Sequence, residues 1–374
     1  MAPCLTLPVV CRPPACAPTG KPRGRFCPFF LDAVPKTRRK RGLAQTGKSP
    51  RCVPRIVVGR HRERETPVPV LRGTILWSVE MAGVALFGGV LVLAWAGAAE
   101  GPTVWFQAHR GGLLEAPENT MAAFRHAWSC PGAIPEVDVR ATKDGVMVCL
   151  HDDTPGRTTN APQPYKNMNV SGITFDQLRQ WDASVTFGHG YPEEKVPSLT
   201  EVFGEMKGRP ERQVYLDVKG VDFDKLAAAV TEYGLNNQVI FVHGNHEGCI
   251  DLSKLFPGAR TMTWLSGTPS QIKRRFEDLS KNGFEGISQL QFHLETKGTG
   301  GRIVYVLDNH FLRYALKTTK GAGVDLQLRP FDFDAASLRG LINLGVQWYV
   351  ADEPRRFADT VATVRSEDSR RKTP

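Results

Sequence analysis

A (β/α)8 barrel is the fold class that this sequence predicts, and two observations predict it. Beyond residue 104, short β-prone apolar runs alternate with helical patterns, the order expected of parallel strands covered by helices. The residues able to do chemistry together lie at the ends of those runs, far apart in sequence, so they converge only if the strand ends form a ring. A chain of 374 residues, 41% hydrophobic, has room for one such barrel.

Strands are read at residues 104–108, 134–139, 146–150, 213–218, 238–242, 260–264, 285–287, 324–328 and 347–350, with helices between most of them. Asn119 is placed to cap a helix carrying Met121, Phe124, Ala127 and Trp128 on one face. Asp222 or Asp224 opens another through Leu226, Ala229 and Val230, with Gly234 as its stop. The 146–150 run reads as an extra strand, paired to the one before it across Lys143-Asp144-Gly145, since Asp-Gly is a hairpin signal. Residues 152–200 read as an insertion over the barrel mouth, broken by Pro155, Pro162, Pro164, Gly172, Gly188 and Gly190. Tyr165, Phe175, Trp181, Phe187 and Tyr191 give it aromatic surface. A lid, a headgroup-selecting cap and an ordinary covering subdomain all fit that composition.

The barrel is expected over residues 104–362, followed by a polar tail over 363–374. Ahead of it, residues 1–80 hold 16 Lys+Arg against 4 Asp+Glu, leaving 32 against 34 for the remainder, so the basic charge belongs to the leader. A nucleic-acid partner is therefore not expected, because that would need a basic face on the folded module. The leader also holds 12 of the 27 prolines and five of the eight cysteines, with no apolar periodicity, and is expected to be disordered. Residues 81–99 form an apolar run ending in small residues, which suits signal cleavage near Ala96 or Ala98 in a protein starting at Met81. Extended back to Thr74, the run approaches the roughly 20 residues of a spanning helix. Both readings export the barrel, to the periplasm or extracellular space or tethered outside a membrane, with membrane proximity through residues 74–99. Cys130, Cys149 and Cys249 are odd in number in apolar surroundings, which predicts buried free thiols.

The chemistry is concentrated between His109 and Asp152. Glu136 and Asp138 alternate along a strand, so both can point one way and offer hard oxygen ligands to Ca2+ or Mg2+. His109-Arg110-Gly111-Gly112 and His151-Asp152 bracket them. Asp217 and Lys219 end the 213–218 strand, and Asp352 follows the last one. Together these groups outline a metal-assisted phosphate site, since an anionic phosphate repels nucleophiles until its charge is neutralised, which a metal, the planar fork of Arg110 and the compact charge of Lys219 would do.

These motifs, with Pro117-Glu118-Asn119-Thr120 and Thr142-Lys-Asp-Gly-Val146, resemble the glycerophosphodiester phosphodiesterase family over about residues 105–360. The resemblance implies a metal-dependent (β/α)8 phosphoric diester hydrolase acting on a small phosphodiester to give glycerol 3-phosphate and an alcohol, with no protein partner. It implies Glu136, Asp138 and Asp217 as metal ligands, His109 and His151 as the acid/base pair, and Arg110 and Lys219 on the phosphate. The family's Glu-x-Lys element reads Asp217-Val-Lys219 here, one methylene shorter. Further departures are His243, Gln289, Gln291 and Arg329, which the barrel pattern puts at pocket-lining positions and which are candidates for recognising something other than plain glycerol. Asp352-Glu-Pro resembles the family's final turn and is expected to be structural. The other readings are a phospholipase-like enzyme acting on a lipid and a non-catalytic barrel that binds a phosphate ligand.

Overall fold

The computed structural model describes residues 103–188, 191–299 and 302–372, so the expected leader at 1–80 and the apolar run at 81–99 lie outside the described residues. The first half contains β1 (Trp105–Ala108), α1 (Met121–Trp128), β2 (Ala133–Ala141), β3 (Met147–Cys149), α2 (Phe175–Leu178), α3 (Leu199–Met206), β4 (Val214–Val218), α4 (Phe223–Glu232) and β5 (Val239–Val242). There follow α5 (His246–Leu255), β6 (Arg260–Leu265), α6 (Pro269–Lys281), β7 (Gln289–Leu294), β8 (Thr296–Thr299), β9 (Arg302–Tyr305), α7 (Asn309–Gly321), β10 (Asp325–Pro330), α8 (Ala335–Asn343), β11 (Trp348–Ala351) and α9 (Pro354–Lys372). Eight strands pair in parallel in the order β1, β2, β4, β5, β6, β7, β10, β11, and β11 returns to β1, closing the predicted barrel. β3 adds to β2 antiparallel across the turn at Gly145.

Asp222 caps α4 by accepting from the amides of Asp224 and Lys225. At α1 the cap differs from expectation. Thr120 is the N-cap, its hydroxyl accepting from the Ala123 amide at 3.3 Å, and Asn119 is left for another task.

The strand expected at 285–287 is displaced to Gln289–Leu294. Residues 283, 284 and 286 all have positive φ, and a Cβ on Gly286 would come 2.7 Å from the Ile250 Cα, so this segment is a tight turn against α5. In β7 itself Leu290, Phe292 and Leu294 enter the core between strand and helices, while Gln289, Gln291 and His293 alternate to the other face. That polar face hid the strand. The β8–β9 hairpin that follows had no sequence signal.

Most of the core lies between the barrel and its helices, in two large apolar clusters. Within the barrel a smaller group of Ile134, Tyr215, Ile240, Val242 and Met262 fills the floor. The insertion packs Val170, Ile173, Leu178, Trp181 and Val196 against Val148 and Leu150 at β3, while its expected end is already α3, which packs in the barrel shell. The expected polar tail is helix as far as Lys372. Val364 is buried, and Arg339 of α8 binds Asp368 at 3.0 Å and also Glu367. Cys130, Cys149 and Cys249 are buried free thiols. Among the described residues no helix is long and apolar enough to cross a membrane.

Where β11 meets β1, α9 seals the barrel with Phe357, whose ring lies 4.6 Å from Phe106, 5.1 Å from Phe333 and 5.5 Å from Tyr349. Phe357→Ala is expected to lower the free energy of unfolding by about 3–5 kcal/mol in chemical denaturation, whereas Leu114→Ala in an exposed loop should change it by less than about 0.5 kcal/mol.

Candidate active site

Strand register brings the acids together. Asp138 of β2 and Asp217 of β4 are direct partners across the parallel pair, and Glu136 lies two residues back on the same face. Ligand atoms of Glu136, Asp138 and Asp217 lie within 4.8 Å of one another, and all three residues are buried. Asn119 clamps Asp138 twice, donating to Oδ2 at 2.6 Å and accepting from the backbone amide at 3.0 Å. Lys219 sits between the acids, with Nζ 3.1 Å from Asp138 Oδ1 and 2.9 Å from Asp217 Oδ2. Despite that proximity Asp138 Oδ1 receives no directed hydrogen bond.

The two aspartates differ electrostatically. Burial acts to raise the Asp138 carboxyl, but the charges of Lys219 and His151 and the Asn119 hydrogen bond outweigh it and hold it below the usual range. For Asp217, burial and then the negative charge of Asp138 push the carboxyl up to about 7. In the absence of a cation, the proton that relieves repulsion in the cluster therefore belongs on Asp217.

Each histidine is held by its own aspartate. His109 Nδ1 lies 2.7 Å from Asp352 Oδ1, and His151 Nδ1 lies 2.7 Å from Asp152 Oδ1. The expectation that Asp352 is only structural is thus corrected: it orients His109. Asp352 is held low because hydrogen bonding from His109 and the charges of His109, Arg329 and Arg110 overcome the upward pull of burial. Arg157 grips Asp152 Oδ2 at 2.6 Å, and this contact holds the Asp152 carboxyl far below its ordinary range. Arg157 also forks onto Glu118 with two contacts of 2.7 Å, and Glu118 in turn accepts from Arg110 at 3.1 Å. Arg110 has φ 53°, a left-handed conformation that is strained for a residue with a side chain. The loop is fixed beneath it by Gly111, where a Cβ would stand 2.8 Å from that of Ala123.

A cavity of about 330 Å3 opens between these groups. Its lining includes His109, Arg110, Glu136, His151, Asp217, Lys219, Gln291 and Arg329, so the expected site residues from six separate segments converge at the strand ends. Two expected lining residues do not. His243 follows Val242, which faces inward, so its ring turns out to pack edge-on against Phe223 and over Gly248. Gln289 is register partner to Met262, one layer below Gln291, and accepts from the Tyr215 hydroxyl at 2.8 Å in the barrel floor. Gln107, Trp264, His293 and Phe331 line the cavity unforeseen. Their signal was alternation within strands whose bounds the sequence left loose.

The family model for glycerophosphoryl diester phosphodiesterases matches residues 109–290. The chain is 36% identical over 157 residues to the glycerophosphodiester phosphodiesterase of Caldanaerobacter subterraneus subsp. tengcongensis, a stretch that takes in 40% of this chain and 62% of that protein, less than two thirds of its length. The crystal structure of glycerophosphodiester phosphodiesterase from Agrobacterium tumefaciens superposes with TM-score 0.54 at 23% identity, covering 69% of this chain and 100% of that one. A phosphodiesterase of Oleispira antarctica, solved in complex with the product sn-glycerol-3-phosphate, gives TM-score 0.52 at 23% identity over 69% of this chain and 96% of its own. With the motifs, the closed barrel and the matched segment in agreement, the chain belongs to the glycerophosphodiester phosphodiesterase family.

Proposed function

We propose that this chain hydrolyses glycerophosphodiesters to glycerol 3-phosphate and an alcohol with the help of a divalent cation, Ca2+ or Mg2+. The observation that carries the reading is the convergence on one cavity of two aspartate-held histidines, two cationic side chains and a buried acid triad. The triad suits a hard cation: its ligands are carboxylate oxygens, one oxygen of Asp138 lacks a directed hydrogen bond, and Asp217 ionises reluctantly beside Asp138. Glu136, Asp138 and Asp217 would hold that cation, which supplies charge neutralisation at the phosphate.

The side chains account for the remaining tasks. Arg110, oriented by Glu118, offers paired N–H donors to phosphate oxygens, and Lys219 adds a compact charge from the end of β4. With Nδ1 of each histidine turned to an aspartate, Nε2 is the atom left for proton transfer. One histidine removes the proton of the attacking hydroxyl and the other protonates the departing oxygen. Replacing His109 or His151 by Ala should lower kcat by about 10²–10⁴-fold while leaving the thermal unfolding midpoint within a few degrees, and unchanged turnover in either variant would overturn the assignment.

The triad gives a second test, with opposite effects on stability and function. In the folded protein without cation, Asp217 keeps its proton up to about pH 7, whereas in the unfolded chain it loses it near 3.8. The folded state binds the extra proton between those values, so stability falls as pH rises through that window. In EDTA, Asp217→Asn should therefore melt higher than wild type at about pH 8, with the advantage shrinking as pH falls toward about 4. The same variant should lose both Ca2+- or Mg2+-dependent activity and the rise in melting temperature that the cation gives wild type.

We further propose that the enzyme works outside the cytoplasm, a reading supported by the apolar run at 81–99 and its small-residue end. Peptide mapping of protein from its native source should find an N-terminus near Gly97 or Glu100 if the run is cleaved, or membrane-bound activity if it is retained. Soluble cytoplasmic enzyme would contradict both.

A further inference from the structure

The two sides of the cavity are chemically unlike. Around β1, β2 and β4 stand the acids, the histidines that flank them, Arg110 and Lys219; around β6, β7 and β10 stand Trp264, Gln291, His293, Arg329 and Phe331, with no carboxylate in the lining. His293 and Arg329 are register partners on β7 and β10, side by side at the strand ends.

A chain of side-chain amides determines what His293 presents. The Glu136 carboxylate can only accept, so Gln107 must turn its NH2 to it, at 2.8 Å. That leaves Gln107 Oε1 to accept from Gln291 Nε2 at 3.3 Å, while the same Nε2 also donates to Gln327 at 2.6 Å. Gln291 Oε1 is then directed at His293 Nε2, 3.0 Å away, and an amide oxygen there requires Nε2–H. Burial, reinforced by the nearby charges of Arg329 and His109, lowers His293 to about 4, so the ring is neutral at physiological pH. His293 Nδ1 is consequently a lone-pair acceptor, and no hydrogen bond to it is present among the described residues. Next to it Arg329 can only donate. Its guanidinium lies 4.9 Å from the Phe331 ring centroid, and Nη2 donates to Asp352 at 3.2 Å and lies 2.9 Å from His109 Nδ1, whose own hydrogen is directed at the same carboxylate.

An acceptor beside a cationic donor suits a hydroxyl group, which gives its proton to one and its oxygen to the other. A quaternary ammonium group provides neither, and the group it would meet in the lining is the Arg329 guanidinium, whose carboxylate partner Asp352 does not itself line the cavity. We propose that this half of the cavity is a subsite for a polyhydroxy group, uncharged or anionic, carried by the substrate and read by His293 and Arg329. The inference rests on the phosphodiesterase reading and adds the chemical class of the alcohol.

The test compares kcat/KM of the full-length protein, loaded with Ca2+ or Mg2+, on glycerophosphoglycerol, glycerophosphoinositol and glycerophosphocholine. The two polyol diesters should exceed the choline diester by about tenfold or more, a difference that one well-satisfied polar contact can supply. His293→Phe and Arg329→Gln should bring the ratio toward one, whereas Arg329→Lys and His293→Asn, which keep the charge and the acceptor, should retain part of it. Because Arg329 touches His109, the ratio and not the absolute rate is the readout. Equal or faster turnover of the choline diester by wild type, or a ratio unchanged in both His293→Phe and Arg329→Gln, would overturn the subsite while leaving hydrolysis intact. Silence toward all three diesters would overturn the hydrolase reading and the subsite with it.

Discussion

Two carboxylates side by side on neighbouring strands, Asp138 and Asp217, are the constraint around which the mouth of this barrel is organised. Like charges brought out of water repel strongly, and burial worsens the repulsion. The structure answers with Asn119, which holds Asp138 through both its side chain and its backbone, and with Lys219, which reaches both acids. Asn119 is available because Thr120 takes the capping role at α1, and the loop that delivers both is tied through Glu118 to Arg110 and Arg157. Pro117-Glu118-Asn119-Thr120 is thus a compact device in which three successive side chains orient Arg110, fix an acid and start a helix.

The same organisation explains why the barrel interior can be polar without unfolding. The apolar contacts that hold the molecule together lie mostly outside the strands, against the helices. Inside, Gln107, Gln291 and Gln327 satisfy one another and pass the orientation imposed by Glu136 across to β7, while Gln327 also donates to the Tyr215 hydroxyl and the Tyr349 carbonyl. A buried network of this kind fixes one arrangement, since reversing any amide would set donor against donor or oxygen against oxygen.

Much of this was legible in the sequence because its signals were local. The paired acids two residues apart, the histidines bracketing them and the alternation of strands with helices each arise within a few residues, and the barrel follows from them. What escaped depended on register. His243 looked like a lining residue because it ends a strand, but the inward face of β5 belongs to Val242. β7 was missed where it carries Gln289, Gln291 and His293 on one face, since a strand facing a polar interior lacks the apolar signature by which strands are recognised. Asp352 joins His109 across 243 residues, a pairing that only closure of β11 onto β1 creates.

That division between local and long-range features coincides with a division of labour in the cavity. The segment from His109 to Asp152 supplies His109, His151, Arg110 and two of the three acids, and all of these except His109, which Asp352 holds, are positioned by contacts within the first part of the barrel. The opposite wall comes from β6, β7 and β10, strands whose inward residues touch the acid triad only through the amide chain. A change at Trp264 or Phe331 would reshape that wall while leaving the partners of His151, Lys219 and the triad in place. Arg329 is the exception, because Asp352 binds both it and His109. Through this shared carboxylate Arg329 on β10 is coupled to His109 at the end of β1, so the two walls of the cavity are not independent.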